Sequence, residues 1–175
     1  EVQVTEKYSQ FILKNNEVII GVEPLNLPPL TFSTIGMWIT VPDTIKNEIQ
    51  KKMQWDFAGG LHAVEHAMIA MSPLYALCDR WDIGGVSTPQ HIDTDQPTIF
   101  IYDGFEGGIG IAETLYKIID KLFVASYNLI SNCECSEGCP SCIYSPKCGN
   151  ENKPLDKKAA RMILKRIINC GKNPA

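Results

Sequence analysis

Between Cys133 and Cys148 the sequence reads CECSEGCPSCIYSPKC, which places five of the chain's seven cysteines within sixteen residues. Thiolates gathered this densely suit a soft or borderline cation, above all zinc, which takes four sulfur ligands at the corners of a tetrahedron. Cys139-Pro-Ser-Cys142 has the spacing that lets one tight turn present two sulfurs to one ion, and Gly138, Pro140 and Pro146 suit a sharply folded loop. Five thiols compete for four places. Cys135-x3-Cys139-x2-Cys142-x5-Cys148 is the more compact set, so the expected ligands are Cys135, Cys139, Cys142 and Cys148, with Cys133 left over. The competing readings are disulfides, which need an oxidising compartment, and an iron–sulfur cluster, which uses the same ligand type. The spacing favours structural zinc. A closed four-thiolate site has no open coordination position, so it holds a fold together and does no chemistry.

A second constellation is His62-Ala-Val-Glu65-His66, which matches H-x-x-E-H. Histidines four apart on a helix share a face and can share a metal, with Glu65 available as a general base. A metal-dependent hydrolase built on His62, Glu65 and His66 also needs a third ligand, commonly a downstream carboxylate, and no second element picks one out. The plainer reading has both histidines flanking an apolar stripe and hydrogen-bonding within the fold. Gly104 to Gly110 lies between a strand and a helix, where backbone N–H groups could cradle a phosphate. It lacks the glycine spacing of a dinucleotide fingerprint and the lysine and hydroxyl of a P-loop, and Glu106 would oppose an anion. Close packing of helix on strand is the alternative reason for its glycines. No nucleotide-hydrolysis motif is present, so the chain is not expected to hydrolyse ATP by itself.

The elements that must position these residues follow from periodicity. Glu1 to Lys14 and Val18 to Val22 read as two antiparallel strands around the turn Asn15-Asn16, and Thr31 to Val41 reads as a further strand closed by Pro42. Asp43 or Thr44 can cap a helix over about 45–53. From Gly60 to Leu77 the period becomes helical, with Leu61, Val64, Met68, Met71 and Tyr75 on one stripe and a kink or split at Ser72-Pro73. Val86 to Asp95 reads as a loop or ragged strand, and Thr98 to Tyr102 as a compact strand. A long helix to about Ile130 carries Ile111, Leu115, Ile118, Leu122, Ala125 and Leu129 as its core face. The last helix, about 155–169, turns Ala160, Ile163, Leu164, Ile167 and Ile168 inward and stops at Gly171.

Along the other side of that helix fall Lys158, Arg161, Lys165 and, beyond its end, Lys172. Charge is divided accordingly. Residues 1–142 carry 8 basic and 18 acidic side chains, while residues 143–175 carry 8 and 2. A cationic end on an acidic body can meet phosphates or dock against the acidic remainder. The basic face could grip a nucleic-acid backbone, but no aromatic residues interleave it, so base stacking is not indicated. The alternative is a solvated helix face. With 45% hydrophobic and 21% charged residues the composition is that of an ordinary globular protein of one domain. No apolar run is long enough to span a bilayer, so no membrane partner is expected and the expected location is cytoplasmic. The chain starts at Glu1 in a strand-like run, which suggests a piece of something longer.

The run CECSEGCPSCIYSPKCGNENKPLDKKAA resembles the end of the MrfA zinc-binding (MZB) domain, which closes the chain of a group of superfamily 2 DEAD/DEAH-box helicases. Gly60-Leu-His62-Ala-Val-Glu65-His66-Ala and Tyr102-Asp-Gly-Phe-Glu-Gly-Gly-Ile-Gly110 resemble further segments of it, so the likeness runs from about Trp38 to Ala160. It implies a zinc-stabilised accessory domain of an ATP-dependent DNA-repair helicase that moves 3′ to 5′ along single strands, with motor lobes upstream in the same polypeptide. It also implies Zn2+ on Cys135, Cys139, Cys142 and Cys148, with Cys133 matching a further cysteine often found in that run. It lowers the peptidase reading of H-x-x-E-H. The expectation is therefore an α+β domain spanning 1–175, with early antiparallel strands, several helices and a four-cysteine zinc knot before the last helix. Its partners would be the motor domains and single-stranded DNA, the latter through Lys158, Arg161 and Lys165. A protein-docking module with no nucleic-acid contact is the remaining alternative.

Overall fold

Which backbone groups find partners decides how the strands divide, in a computed structural model that describes residues 1–16 and 18–171. β1 (Val2–Glu6) pairs antiparallel with β4 (Leu30–Thr34), and β2 (Gln10–Asn15) forms a hairpin with β3 (Val18–Pro24) around Asn16 in the left-handed region. The strand expected through Lys14 is thus two strands, because residues 7–9 leave the extended ladder and its halves take different partners. The run from Thr31 to Val41 divides as well, into β4 and β5 (Gly36–Thr40). At that switch the Thr34 hydroxyl meets the carbonyls of Asp103 and Phe105, and the Asp103 N–H donates to Ile35 O at 2.9 Å.

The central sheet is antiparallel, in the order β5–β7–β6, with β6 at Ile83–Thr88 and β7 at Thr98–Asp103. Of the loop or ragged strand expected over Val86 to Asp95, Val86 to Thr88 belong to β6, and 89–95 form the loop that follows it. Ile99 and Ile101 of β7 are fully buried, as the middle strand of a sheet covered on one face requires. The element that covers it is α2 (Phe57–Met71), whose Phe57, Leu61, Val64 and Met68 are inaccessible to solvent. Asp56 caps α2 by accepting the Gly59 N–H, and the helix gives way to a 3-10 turn at Ser72-Pro73, where the Ser72 hydroxyl returns to Met68 O.

α5 (Lys157–Gly171) packs on α2 and on α4 (Ile119–Asn132). A Cβ at Gly60 would lie 2.6 Å from Ala159 Cβ, so glycine is what lets α2 and α5 approach. Their starts are tied together: Asp156 accepts the Asp56 N–H (3.0 Å) and the Ala159 N–H (2.9 Å). α1 (Asp43–Asn47) continues into a π-helical turn, Glu48–Met53. The expected long helix is α3 (Ile111–Lys117) followed by α4, because Ile118 leaves the helical conformation at φ −120°. That break rotates the buried face of α4 onto Leu122, Phe123, Ser126 and Ile130.

The whole is α+β, with strands early and a cysteine cluster just before the last helix. No helix among the described residues is long and apolar enough to cross a membrane.

Candidate metal centres

The loop from α4 to α5 builds the first centre. Cys133 ends α4 in an extended conformation, and the Cys139 carbonyl accepts the N–H groups of Cys142, Ile143 and Tyr144, closing a tight turn. Gly138 has φ +132°, and a Cβ there would come within 2.7 Å of Ile143 Cδ1. The turn brings four sulfurs together. Sγ–Sγ distances are 3.6 Å for Cys133–Cys135, 3.5 Å for Cys133–Cys139, 3.5 Å for Cys135–Cys142 and 3.7 Å for Cys139–Cys142. A disulfide would need about 2.05 Å. Four sulfurs at about 2.3 Å from one tetrahedral zinc stand about 3.8 Å apart, close to what is observed.

Lys157, buried at the first turn of α5, donates to Cys133 O (2.7 Å), Cys135 O (2.5 Å) and Cys135 Sγ (3.1 Å). Burial opposes the Cys135 thiolate, but the Lys157 ammonium and the neighbouring thiols prevail and draw its pKa below the usual thiol range. Burial pushes the Cys142 thiol the other way.

The structure divides the expected set. Cys135, Cys139 and Cys142 are brought together, but the fourth sulfur is that of Cys133, not Cys148. The reason is direction. Cys133 closes α4 and so sits at the mouth of the turn, whereas Cys148 follows the loop onto α2 and lies beside His62.

There it belongs to a second group, His62, His66 and Cys148. His62 Nε2 is 3.4 Å from Cys148 Sγ, and the two imidazole centroids are 4.3 Å apart. His62 Nδ1 lies 2.9 Å from Pro154 O, and His66 Nδ1 lies 2.7 Å from Ile143 O. The reading in which both histidines hydrogen-bond within the fold therefore holds for their Nδ1 atoms. Burial pulls the His66 pKa down to about 4 and pushes Glu65 up to about 7, the latter against a hydrogen bond with Ser87. Glu65 sits under β6, against Gly85.

The phosphate-cradle reading of Gly104–Gly110 falls. The buried Asp103 carboxylate accepts the N–H groups of Ile109 (2.6 Å), Gly110 (2.8 Å), Ile111 (3.3 Å) and Ala112 (2.7 Å), so the donors at the start of α3 already serve an anion of the chain itself.

Lys158, Arg161 and Lys165 are exposed on one side of α5, and none has an ion-pair partner among the described residues. Arg166, one step round the helix, pairs with Glu48. Lys172 lies outside the described residues. Sequence reasoning missed Lys157 as a cluster residue; its one signal was its position opening the final helix just after the cysteines.

Comparison with known proteins bears on these centres. The family model of the MrfA Zn-binding domain matches residues 64–143. An uncharacterized protein of Methanocaldococcus jannaschii is 44% identical over 112 residues, which are 62% of this chain and all of that relative. The uncharacterized ATP-dependent helicase YprA of Bacillus subtilis is 35% identical over 124 residues, 71% of this chain and 16% of the helicase. Among solved structures, the DUF1998 helicase MrfA bound to DNA superposes with a TM-score of 0.60 at 28% identity, covering 87% of this chain and 19% of that one. The chain thus spans all of the archaeal relative but under a fifth of these helicases.

Proposed function

This chain belongs to the MrfA Zn-binding domain family, and we propose that it is the zinc-stabilised accessory domain of an ATP-dependent DNA helicase. The observation that carries this reading is the coincidence of match and cluster. The family segment, residues 64–143, contains Cys133, Cys135, Cys139 and Cys142 and stops before Cys148. These four thiolates would hold a structural Zn2+, with Lys157 offsetting part of their negative charge. Bound zinc would lock the α4–α5 loop and, through it, the start of α5. Reduced thiols and zinc suit the cytoplasm.

In this reading the motor lobes lie elsewhere in the same polypeptide, and the domain braces them. Support comes from the β2–β3 hairpin, where Phe11, Ile19, Ile20 and Val22 are all more than half exposed. A lone two-stranded hairpin is marginal in water, and clustered apolar exposure marks an interaction surface. Single-stranded DNA would run past Lys158, Arg161 and Lys165, a reading supported by their exposure, their lack of acidic partners among the described residues and the DNA in the MrfA structure. A role in repair with 3′-to-5′ movement is the extension of the same family reading.

Replacing Lys158, Arg161 and Lys165 together with glutamate in the full-length protein tests the strand-guiding part. Single-strand affinity should fall, and the slope of log K against log salt should shrink by about 0.7 for each phosphate no longer neutralised. Binding with unchanged affinity and slope would leave only the bracing role.

A further inference from the structure

We propose that His62, His66 and Cys148 form a second metal site, for a zinc-class divalent cation, distinct from the four-thiolate cluster. Both imidazoles are already set for it. Each Nδ1 lies at hydrogen-bond distance from a backbone carbonyl, that of Pro154 for His62 and that of Ile143 for His66. A carbonyl oxygen only accepts, so each Nδ1 carries the proton and each Nε2 is left with the lone pair. Metal-ligating histidines are held in just this way, by a carbonyl on the other ring nitrogen. Four residues apart on α2, the two rings share one face.

The third donor arrives from the loop. Cys148 Sγ stands 3.4 Å from His62 Nε2, while a tetrahedral zinc with ordinary bond lengths would set nitrogen and sulfur about 3.6 Å apart. One donor atom from each of the three residues lies within 4.8 Å of the other two. The Asn152 N–H donates to the sulfur from 3.3 Å, the kind of backbone hydrogen bond that orients a metal-ligating side chain. A metal-free hydrogen bond accounts for less of this, since a single S–H can serve one imidazole lone pair and not both.

Two imidazoles and one thiolate are a borderline donor set suited to zinc, and three protein ligands leave a fourth position to water or a small anion. That position belongs to a cleft of about 250 Å³ that Glu65, Ser87 and Lys147 also line. The site cross-links elements 86 residues apart, fastening the segment after Cys142 to α2.

The test is zinc content of the purified full-length protein, wild type against a His62→Ala, Cys148→Ser double variant, with Cys139→Ser alongside. The proposal expects the double variant to lose one equivalent while keeping the zinc that depends on Cys139. Equal zinc in wild type and double variant overturns it. A second measurement guards against misfolding: cobalt(II) substitution of the Cys148→His variant. That variant should keep the metal and lose one thiolate-to-cobalt charge-transfer contribution, whereas a spectrum identical to wild type overturns the proposal. A failed four-thiolate reading is recognised separately, by a Cys139→Ser variant whose zinc content equals that of wild type.

Discussion

The two thiol-bearing centres are neighbours along the chain but are assembled by opposite means. Cys133, Cys135, Cys139 and Cys142 come from one loop, so few degrees of freedom are lost in gathering them, and turns at Gly138 and at the Cys139 carbonyl bend that loop back on itself. The His62, His66 and Cys148 group needs α2 folded, the loop closed over it, and Pro154 and Ile143 placed to orient the rings. A local cluster can form as soon as metal is present. A cluster joining distant segments inherits its geometry from a core that must already exist, and a ligand there closes a long loop, whose entropic cost rises only slowly with length.

If the first centre is the structural one, removing it should have the largest effect. Structural zinc contributes about 10 kcal/mol or more to small domains, comparable with the ~5–15 kcal/mol total stability of a protein of this size. Cys139→Ser, or strong chelation of the wild type, should therefore abolish the cooperative transition in calorimetry. A transition preserved at the wild-type temperature would erase the distinction between the centres.

Gly60→Val should come next. It wedges α2 from α5 at a crossing where even a Cβ would lie 2.6 Å from Ala159, at a cost of about 3 kcal/mol in chemical denaturation. Because α2 carries both histidines and α5 carries Lys157, it should weaken metal binding at both centres. An effect confined to one would show that they do not share a scaffold.

Lys157→Met is the subtler probe. It leaves two carbonyls and the Cys135 thiolate without a charged donor, and should cost about 2 kcal/mol while zinc is retained. Cobalt spectra should change for the four-thiolate centre alone. Smallest of all in stability should be the triple glutamate variant of Lys158, Arg161 and Lys165. These exposed side chains are free of ion pairs among the described residues, so its melting temperature should match wild type while DNA binding responds.

Much of the scaffold is legible without coordinates. The stripe Leu61, Val64, Met68 is the buried face of α2, Ser72-Pro73 ends that helix, and Ala160, Ile163 and Leu164 are the buried face of α5. These features depend on periodicity and local stereochemistry, which adjacent residues determine between them. The errors fall where partners decide. Nothing near Ile35 or Lys7 announces that the chain changes sheets there, because the receiving groups are Asp103 and β4, far along the sequence. At Gly104–Gly110 the sequence argues against a phosphate but does not show what takes its place, because the occupant, the Asp103 carboxylate, reveals its role only once the chain folds back on it.

The cysteines draw the same line most sharply. Their number and spacing alone marked the run between α4 and α5 as able to hold a soft metal, since thiolates this dense suit such a cation. Which four would meet was a matter for the tertiary structure. Coordination depends on where each Sγ points, and that is set by the end of α4 for Cys133 and by the face of α2 for Cys148. The partnership of His62 and His66 with Cys148 likewise came only with the fold, because separation along a chain carries no information about direction in space.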